Sequence, residues 1–299
     1  MRRPLILAIL AGTFLATPAL ADVTVRYRAV LPAAAPAEVR ADPPALVIAA
    51  SDSGHSRLEV MAPGAAPGMP PIPPGGQKPS VAFITRDNVD YLALNGPGPG
   101  LQLVTRLDDA LALLTQMAVP LLQGSAREGI QQVMQQRVEI HPVGPETVEG
   151  IQGNLYRLVL VNGEVRSPPL EMVVATDPRL APAGRALVRT VDAMRGTVVA
   201  VTGGEPQVYA AIRAMFTLGA PLRIGQVMRV ETVSMADVPD ERFALPGNVL
   251  SREQLQQTVG MMMGMMRPGA RPPGMPGAPS SPAPPPAPAT PPADATNPH

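Results

Sequence analysis

The sequence contains no cysteine and no tryptophan, and it has only four phenylalanines and four tyrosines. Without cysteine the protein can form no disulfide framework, thiolate metal site, cysteine nucleophile or lipidated N-terminal cysteine. With so few aromatic residues, a hydrophobic core must consist of Leu, Val, Ile, Met and Ala.

An excess of charge of either sign is also lacking, because 24 Lys and Arg residues balance 24 Asp and Glu residues. A chain without net charge has no summed field that favours nucleic acid or an acidic membrane surface, so we expect no nucleic-acid partner. The three histidines are His55, His141 and His299, which fall in a turn, at a strand end and at the terminus. We therefore predict no metal site built on histidine.

Motifs that carry catalysis are missing as well. The sequence has no Gly-x-Ser-x-Gly turn to present a serine nucleophile. Asp108, Asp109 and Asp177 stand where carboxylates favour the first turn of a helix, and that role accounts for them. The prolines within Gly96–Gly100 remove amide donors that a phosphate-binding loop needs. We predict no catalytic residue, no cofactor and no enzymatic activity.

The first residues have the three parts of an export signal. Arg2 and Arg3 precede the apolar run Leu5–Leu15, and Ala19–Ala21 has the small residues of a cleavage site. This order predicts that residues 1–21 are a signal peptide and that Asp22 is the first mature residue. No later segment reaches the roughly 18 apolar residues of a membrane-spanning helix, so we expect a periplasmic protein without a transmembrane segment.

Proline divides the rest of the chain. The 39 prolines concentrate near the signal, within residues 63–79 and beyond Pro268. Because proline cannot donate ladder hydrogen bonds, residues 63–79 are predicted to be an extended insertion. Residues 268–299 have few apolar side chains to bury, and we expect a disordered tail. About 200 residues remain for a core, which predicts one domain over residues 22–250.

Hydrophobic periodicity within that domain indicates antiparallel strands interrupted by amphipathic helices. Alternation of apolar and polar residues predicts strands at 22–30, 45–50, 56–61, 80–85, 88–94, 101–104, 137–141, 147–150, 155–161, 170–176, 222–224 and 227–235. A spacing of three and four predicts helices within 107–134 and at 186–194 and 207–218. The fold class is therefore α+β, with one face of the sheet covered by helices.

A methionine-rich segment follows the domain. Ser251 can cap a helix over residues 251–267, which contains Met261–Met263, Met265 and Met266. Methionine thioethers can hold Cu(I), and methionine is also the adaptable residue of packed or partner-binding surfaces. Both interpretations stay open for this helix.

Several segments resemble the periplasmic lipoprotein-carrier superfamily, together with a related family of exported domains of unknown function. The segments that carry the resemblance are Val23–Val30, Arg57–Met61, Phe83–Thr85, Tyr91–Leu94, Glu149–Gly153, Tyr156–Leu160, Met172–Asp177 and Val238–Pro246. The resemblance implies a curved antiparallel half barrel, helices on its concave face, and an apolar cavity for a lipid or a lipoprotein acyl chain. The proline insertion, the methionine-rich helix and the scarcity of aromatic residues depart from the carriers.

Alternation within the strands selects the side chains that would face such a cavity. These candidates for ligand binding are Phe83, Tyr156, Leu158, Leu160, Met172, Val174, Met228 and Val230. The same residues would serve equally in plain core packing. Three functions follow: binding of a hydrophobic ligand, copper binding by the methionine-rich helix, and an envelope scaffold that uses the proline-rich tail to contact a protein partner.

Overall fold

The computed structural model describes residues 22–63, 78–96, 102–121, 125–204 and 206–265. The predictions for residues 1–21, for most of the proline insertion and for the tail from Pro268 lie outside these ranges. The chain divides into two units after Gln256. The second unit is described over residues 257–265, which form the end of a helix, and the rest of this section concerns the first unit.

The described chain contains thirteen strands and six helices. The strands are β1 (Val23–Ala29), β2 (Ala45–Ala50), β3 (Ser56–Met61), β4 (Ser80–Arg86), β5 (Val89–Asn95), β6 (Gln102–Arg106), β7 (Arg137–Val148), β8 (Ile151–Asn162), β9 (Val165–Arg166), β10 (Leu170–Ala175), β11 (Pro221–Ile224), β12 (Met228–Ser234) and β13 (Val249–Leu250). The helices are α1 (Ala37–Ala41), α2 (Leu107–Leu121), α3 (Ser125–Met134), α4 (Ala181–Thr202), α5 (Gln207–Leu218) and α6 (Arg252–Met265). Short 3₁₀ turns lie at Pro178–Leu180 and Asp240–Phe243.

The strands form one large, curved and open sheet in the order β13-β6-β5-β4-β3-β2-β1-β12-β11-β10-β8-β7, with β9 beside β8. Neighbouring strands are antiparallel, except that β13 runs parallel to β6. The predicted fold class is thereby confirmed: α and β elements are mixed, and helices pack on the concave face of an open antiparallel sheet.

Strand β1 shows why the alternation of the sequence produces this sheet. Val23, Val25 and Tyr27 are buried, whereas the residues between them are half-exposed. These three side chains join the main hydrophobic cluster with residues from β2, β10, β11 and β12 and from the start of α4. Since side chains alternate across a strand, one apolar face is sufficient to hold β1 under the helices.

Helix α4 covers the middle of the sheet with its first half. Its buried residues up to Val191 include Ala183, Ala186 and Leu187, which pack in the main cluster. Gly184 lies where the helix passes close to another part of the backbone, because a Cβ atom there would stand 2.9 Å from the carbonyl carbon of Gly219. The helix ends at Gly203, which has the positive φ of 75° that favours glycine.

The other face of the sheet is covered over its β2–β6 half by the chain that follows β12. Val238 and Phe243 pack on Ala49, and Leu245 packs on the buried residues of β4, β5 and β6. Strand β13 then adds to the β6 edge. Helix α6 begins after Ser251, whose hydroxyl accepts a hydrogen bond from the Gln254 N–H, as the sequence predicts.

Several predicted boundaries are wrong. Helix α4 begins at Ala181 and not at 186, because Pro182 is tolerated in a first helical turn. Strand β7 continues through Pro142 and Pro145, since it lies at the sheet edge and takes a bulge between Pro142 and Gly144. Gly150 was predicted as strand, but it lies in the β7–β8 turn with a φ of 77°.

Candidate functional site

Five apolar side chains form a line across strands β2 to β6. The cross-strand pairs are Leu46 with Val60, Val60 with Val81, Val81 with Leu94, and Leu94 with Leu103. Side chains that stand directly opposite one another in antiparallel strands lie on the same face of a sheet. We call these five residues the apolar row.

The apolar row lies on the face that carries the helices. Leu46 pairs with Tyr27, which is 1% exposed and belongs to the main cluster. Val81 lies two residues before Phe83, which also packs against that cluster. The row is therefore a continuation of the core surface across the sheet.

Protein atoms cover the apolar row incompletely. Val60 is 45% exposed and Leu94 is 36% exposed, while Leu46, Val81 and Leu103 are half-buried. In the next line towards the helices, Val25, Ile48 and Leu58 are buried, whereas Phe83 and Leu92 are half-buried. Burial by the helix layer thus decreases from β1–β3 towards β4–β5 and from this line towards the apolar row.

On the opposite face, polar residues lie behind the apolar row, whereas the apolar residues further along the same strands pack under Leu245. The Ser80 hydroxyl donates to Glu59 at 2.9 Å, Asn95 donates to Ser80 at 2.9 Å, and Gln102 donates to Asn95 at 3.1 Å. Burial acts to raise the pKa of Glu59, but hydrogen bonding to Arg57 and to Ser80 outweighs it and lowers that pKa. At this end of the strands one face is therefore apolar and the other is polar.

The helix layer is thinly packed in three segments. In α2, residues 111–120 are half-buried or exposed, and Leu114 is 52% exposed. Of the α3 residues whose side chains the structure describes, 127–134, none is buried, and Val133 is 50% exposed. Beyond Val191, Thr202 is the single buried residue of α4. These segments present apolar side chains without enclosing them.

At the opposite end of β4 and β5, polar contacts fasten α4 to the sheet. Arg189 donates through Nε to the Asp90 carboxylate at 2.7 Å and through Nη2 to the Asn88 carbonyl at 2.8 Å. Asp90 also accepts from the Thr85 hydroxyl at 2.7 Å. The helix is thus anchored over one end of these strands, and the apolar row lies towards the other end.

Three of the predicted ligand-binding residues lie in or beside the main cluster. Val230 is 2% exposed and pairs with Tyr27, so it continues the line of the apolar row into the core. Phe83 and Met228 are half-buried and pack against the same cluster. Phe83 is the predicted residue that lies nearest in sequence to the row.

The other five lie at the β7–β10 end of the sheet. Leu158, Met172 and Val174 are buried, and Tyr156 packs beside them beneath Met215 of α5. Leu160 is half-buried opposite Val138. A ligand could touch Leu158 and Met172 only if α5 moved away, and the assignment of all eight residues to ligand binding stays a prediction.

A cleft of about 270 Å³ reaches this second group. Tyr156 and Val174 line it together with Asn154, Thr176, Asp177 and Leu218, among others. Hydrogen bonds from the Arg179 side chain, with a further one from its N–H, lower the pKa of Asp177. Asp177 therefore acts as a charged cap of the 3₁₀ turn, as its position in the sequence predicts.

The apolar row can bind hydrocarbon, but its five side chains supply no acid, base, nucleophile or metal ligand. Among the described residues, no three His, Asp or Glu side chains are grouped so as to hold a metal ion. No described helix is both long and apolar enough to span a bilayer. Met261 in the second unit is 61% exposed, and the side chains of residues 262–266 lie outside the described part.

Sequence reasoning selected Phe83 but missed the apolar row. Val81 and Leu94 alternate with polar or small residues, and this signal identifies their face, whereas Leu46, Val60 and Leu103 each have an apolar neighbour in the strand that weakens it. The part of that face that the helices leave uncovered depends on strand order and helix position, which the alternation does not contain.

Comparison with protein-family models, with curated proteins and with solved structures found no match. A proposal for function therefore rests on the residues and their geometry.

Proposed function

We propose that the protein is an exported, non-enzymatic protein of the cell envelope that binds a hydrophobic ligand, a lipid or an acyl chain, between its curved sheet and its helices. The observation that carries this proposal is the apolar row, which is partly exposed on the face that otherwise forms the core. A soluble domain usually covers such a face with its own side chains. In this protein the ligand covers the part of the apolar row that the protein's own side chains leave exposed.

The size of the row suits a hydrocarbon chain. Neighbouring strands stand about 4.8 Å apart, so five side chains across five strands extend for about 19 Å. Covering the exposed part of a Val or Leu side chain contributes about 1–2 kcal/mol. Contact along the whole row therefore contributes several kcal/mol, and burial of the ligand's own hydrocarbon adds to it against the cost of immobilising the ligand.

The apolar row forms one wall of the proposed ligand site, and the helix layer forms the other. Segments with few buried apolar contacts open locally at low free energy. Residues 111–120 and 127–134 fit that description, and they belong to helices that pack against α4. Opening of this layer admits a ligand, and closure over the ligand buries the side chains that are half-exposed in its absence.

The sequence supports the location and the type of ligand. Residues 1–21 have the parts of an export signal. The resemblance to the periplasmic lipoprotein carriers favours an acyl chain as the hydrophobic group. The anchoring of α4 through Arg189 is compatible with this proposal, because it lies at the end of the strands away from the row.

Paired substitutions in the row test the proposal. The chain is expressed with its leader in a Gram-negative host, and the purified protein is titrated with a dansyl-labelled fatty acid. We expect Val60→Asn together with Leu94→Asn to weaken binding about tenfold or more, because polar side chains then line the row. Native mass spectrometry with lipid extraction shows whether lipid co-purifies with the parent protein and is lost from the variant.

A matched control is Val165→Asn. Val165 is a strand valine that is 71% exposed in the short β8–β9 hairpin, away from the row. Its substitution should leave the affinity unchanged, and unfolding midpoints of both variants check that the fold persists. A parent protein that carries no lipid and binds none of the fatty acid contradicts the proposed function.

A further inference from the structure

Strand β12 is paired along one side and over a short part of the other. Its pairing with β1 runs from Met228 to Ser234, with a bulge that leaves Glu231 without a register partner in β1. Its pairing with β11 is limited to Arg223 with Arg229 and Ile224 with Met228. From Val230 to Ser234, no described strand lies along the β11 side of β12.

Backbone groups along this edge are directed away from β1. In an antiparallel pair, alternate residues point their N–H and C=O groups to the side opposite the partner strand. The five residues from Val230 to Ser234 extend for about 17 Å. This edge is thus long enough to hold several residues of an added strand.

A cleft of about 610 Å³ reaches this edge at Val233 and continues to Met235. Val233 and Met235 form its wall on the β12 side, and Ile151, Gln152, Asp177 and Arg179 are among the residues that form the facing wall. Backbone groups in and next to the facing wall are already hydrogen-bonded. The Thr176 N–H donates to the Gln152 carbonyl at 3.2 Å, and the Ala175 N–H donates to the Ala220 carbonyl at 2.9 Å. The cleft is therefore a slot with one open hydrogen-bonding edge.

The lining has the mixed character of a peptide site. Val233, Met235 and Ile151 are half-buried apolar residues that pack on the main cluster. Gln152, Asp177 and Arg179 offer donors and acceptors near the solvent side, where Asp177 and Arg179 already pair with each other at 2.7 Å. An extended chain places alternate side chains on opposite faces, so it can present apolar groups to the first set and polar groups to the second.

We propose that this slot binds a short extended peptide, with alternating apolar and polar residues, as an added strand on β12. An acyl chain would leave the backbone groups of the edge unsatisfied, whereas a peptide strand satisfies them. A second copy of this chain fits less well, because a strand that lies within a folded sheet cannot enter a slot with two walls. The site is separate from the apolar row and does not depend on lipid binding.

The test uses a pool of acetylated hexapeptides in which threonine alternates with Val, Ile, Leu or Phe. The purified full chain is titrated with the pool, and amide hydrogen exchange is followed by mass spectrometry. We expect saturable binding that slows exchange within Val230–Ser234. The same pool N-methylated at every second residue should bind about tenfold more weakly or worse, because each backbone hydrogen bond contributes to affinity.

Two variants separate this site from the lipid site. Met235→Glu should weaken binding of the pool, whereas Val60→Asn with Leu94→Asn should leave it unchanged. Binding that persists with the N-methylated pool, protection that falls outside β12, or no binding at millimolar peptide would each overturn the proposal. Because fatty-acid binding is measured on the same preparations, failure of the peptide site and failure of the lipid site give different results.

Discussion

Arg189 is the side chain that connects α4 to the sheet at the β4–β5 turn. Its guanidinium donates to Asp90 and to the Asn88 carbonyl, and the side chains of Arg189 and Asp90 are 34% and 27% exposed. Partial burial makes such charge-assisted hydrogen bonds stronger than those of an exposed ion pair. The turn itself has positive φ at Asp87 and Asn88, 50° and 61°, which holds the Asn88 carbonyl in place.

Replacing Arg189 with methionine should lower the free energy of unfolding by about 1–2 kcal/mol, because Asp90 then loses its charged partner. Urea unfolding followed by circular dichroism measures this change. The control is Arg28→Met, since Arg28 is 59% exposed and lies 3.8 Å from Glu231. That control should change stability by about 0.5 kcal/mol or less. Equal effects of the two substitutions would show that Arg189 does not anchor α4.

The pKa of Asp177 predicts how the stability of the protein changes at low pH. Hydrogen bonds from Arg179 hold its pKa in the folded protein below the ordinary value. A depressed carboxyl pKa contributes stability above the unfolded pKa of about 3.9, and this contribution is lost as the pH falls through the folded value. Asn at 177 keeps the cap but lacks the charge. The stability difference between the parent and Asp177→Asn should be present at pH 7, decrease as the pH falls below the unfolded pKa of about 3.9, and disappear once the pH is below the folded pKa. A difference that grows in acid would contradict this account.

At the scale of elements, α4 depends on two glycines in different ways. A Cβ atom at Gly184 would lie 2.9 Å from the Gly219 carbonyl carbon and 3.1 Å from the Ala220 nitrogen, and both are backbone atoms that cannot rotate away. No atom outside the helix backbone lies within 4 Å of the same position on Gly196. Close approach of α4 to the chain after α5 therefore requires glycine at 184, whereas glycine at 196 is not required by packing.

Gly184→Ala should destabilise the protein by about 1–3 kcal/mol, because the backbones must separate to admit the methyl group. Gly196→Ala is the matched control on the same helix, and it should stabilise the protein by up to about 1 kcal/mol through helix propensity. Thermal unfolding of both variants measures the two changes in stability. Destabilisation of similar size by both substitutions would contradict the close packing of α4.

How far the sequence predicted the elements depends on the type of signal in each. Helix α5 begins and ends where its spacing of apolar residues predicts, at Gln207 and Leu218. Helix α1 was not predicted, because a five-residue helix has no complete apolar period and buries no residue. The β7–β8 hairpin was predicted as shorter pieces because its prolines normally interrupt strands. Their tolerance follows from the edge position of β7, which is a property of strand order.

For the whole molecule, the sequence predicted the curved antiparallel sheet and its helical cover, but not the uncovered part of the face. Strand pairing places Leu94 and Phe83 on the same face, but the sequence does not show how far the helices cover that face. The slot beside β12 was not predicted either, since it arises because only two of the four β11 residues pair with β12. Both sites are properties of the assembled sheet and of no single segment.

A photo-crosslinking experiment tests the central claim, that the apolar row binds a hydrocarbon chain, most directly. The purified protein is loaded with a fatty acid that carries a diazirine near the end of its chain, irradiated, digested and mapped by mass spectrometry. We predict crosslinks on strands β3–β6, at or next to Val60, Val81, Leu94 and Leu103, that unlabelled fatty acid abolishes by competition. Labelling that is absent, that resists competition, or that maps to the opposite face around Ser80 and Asn95 would contradict the account.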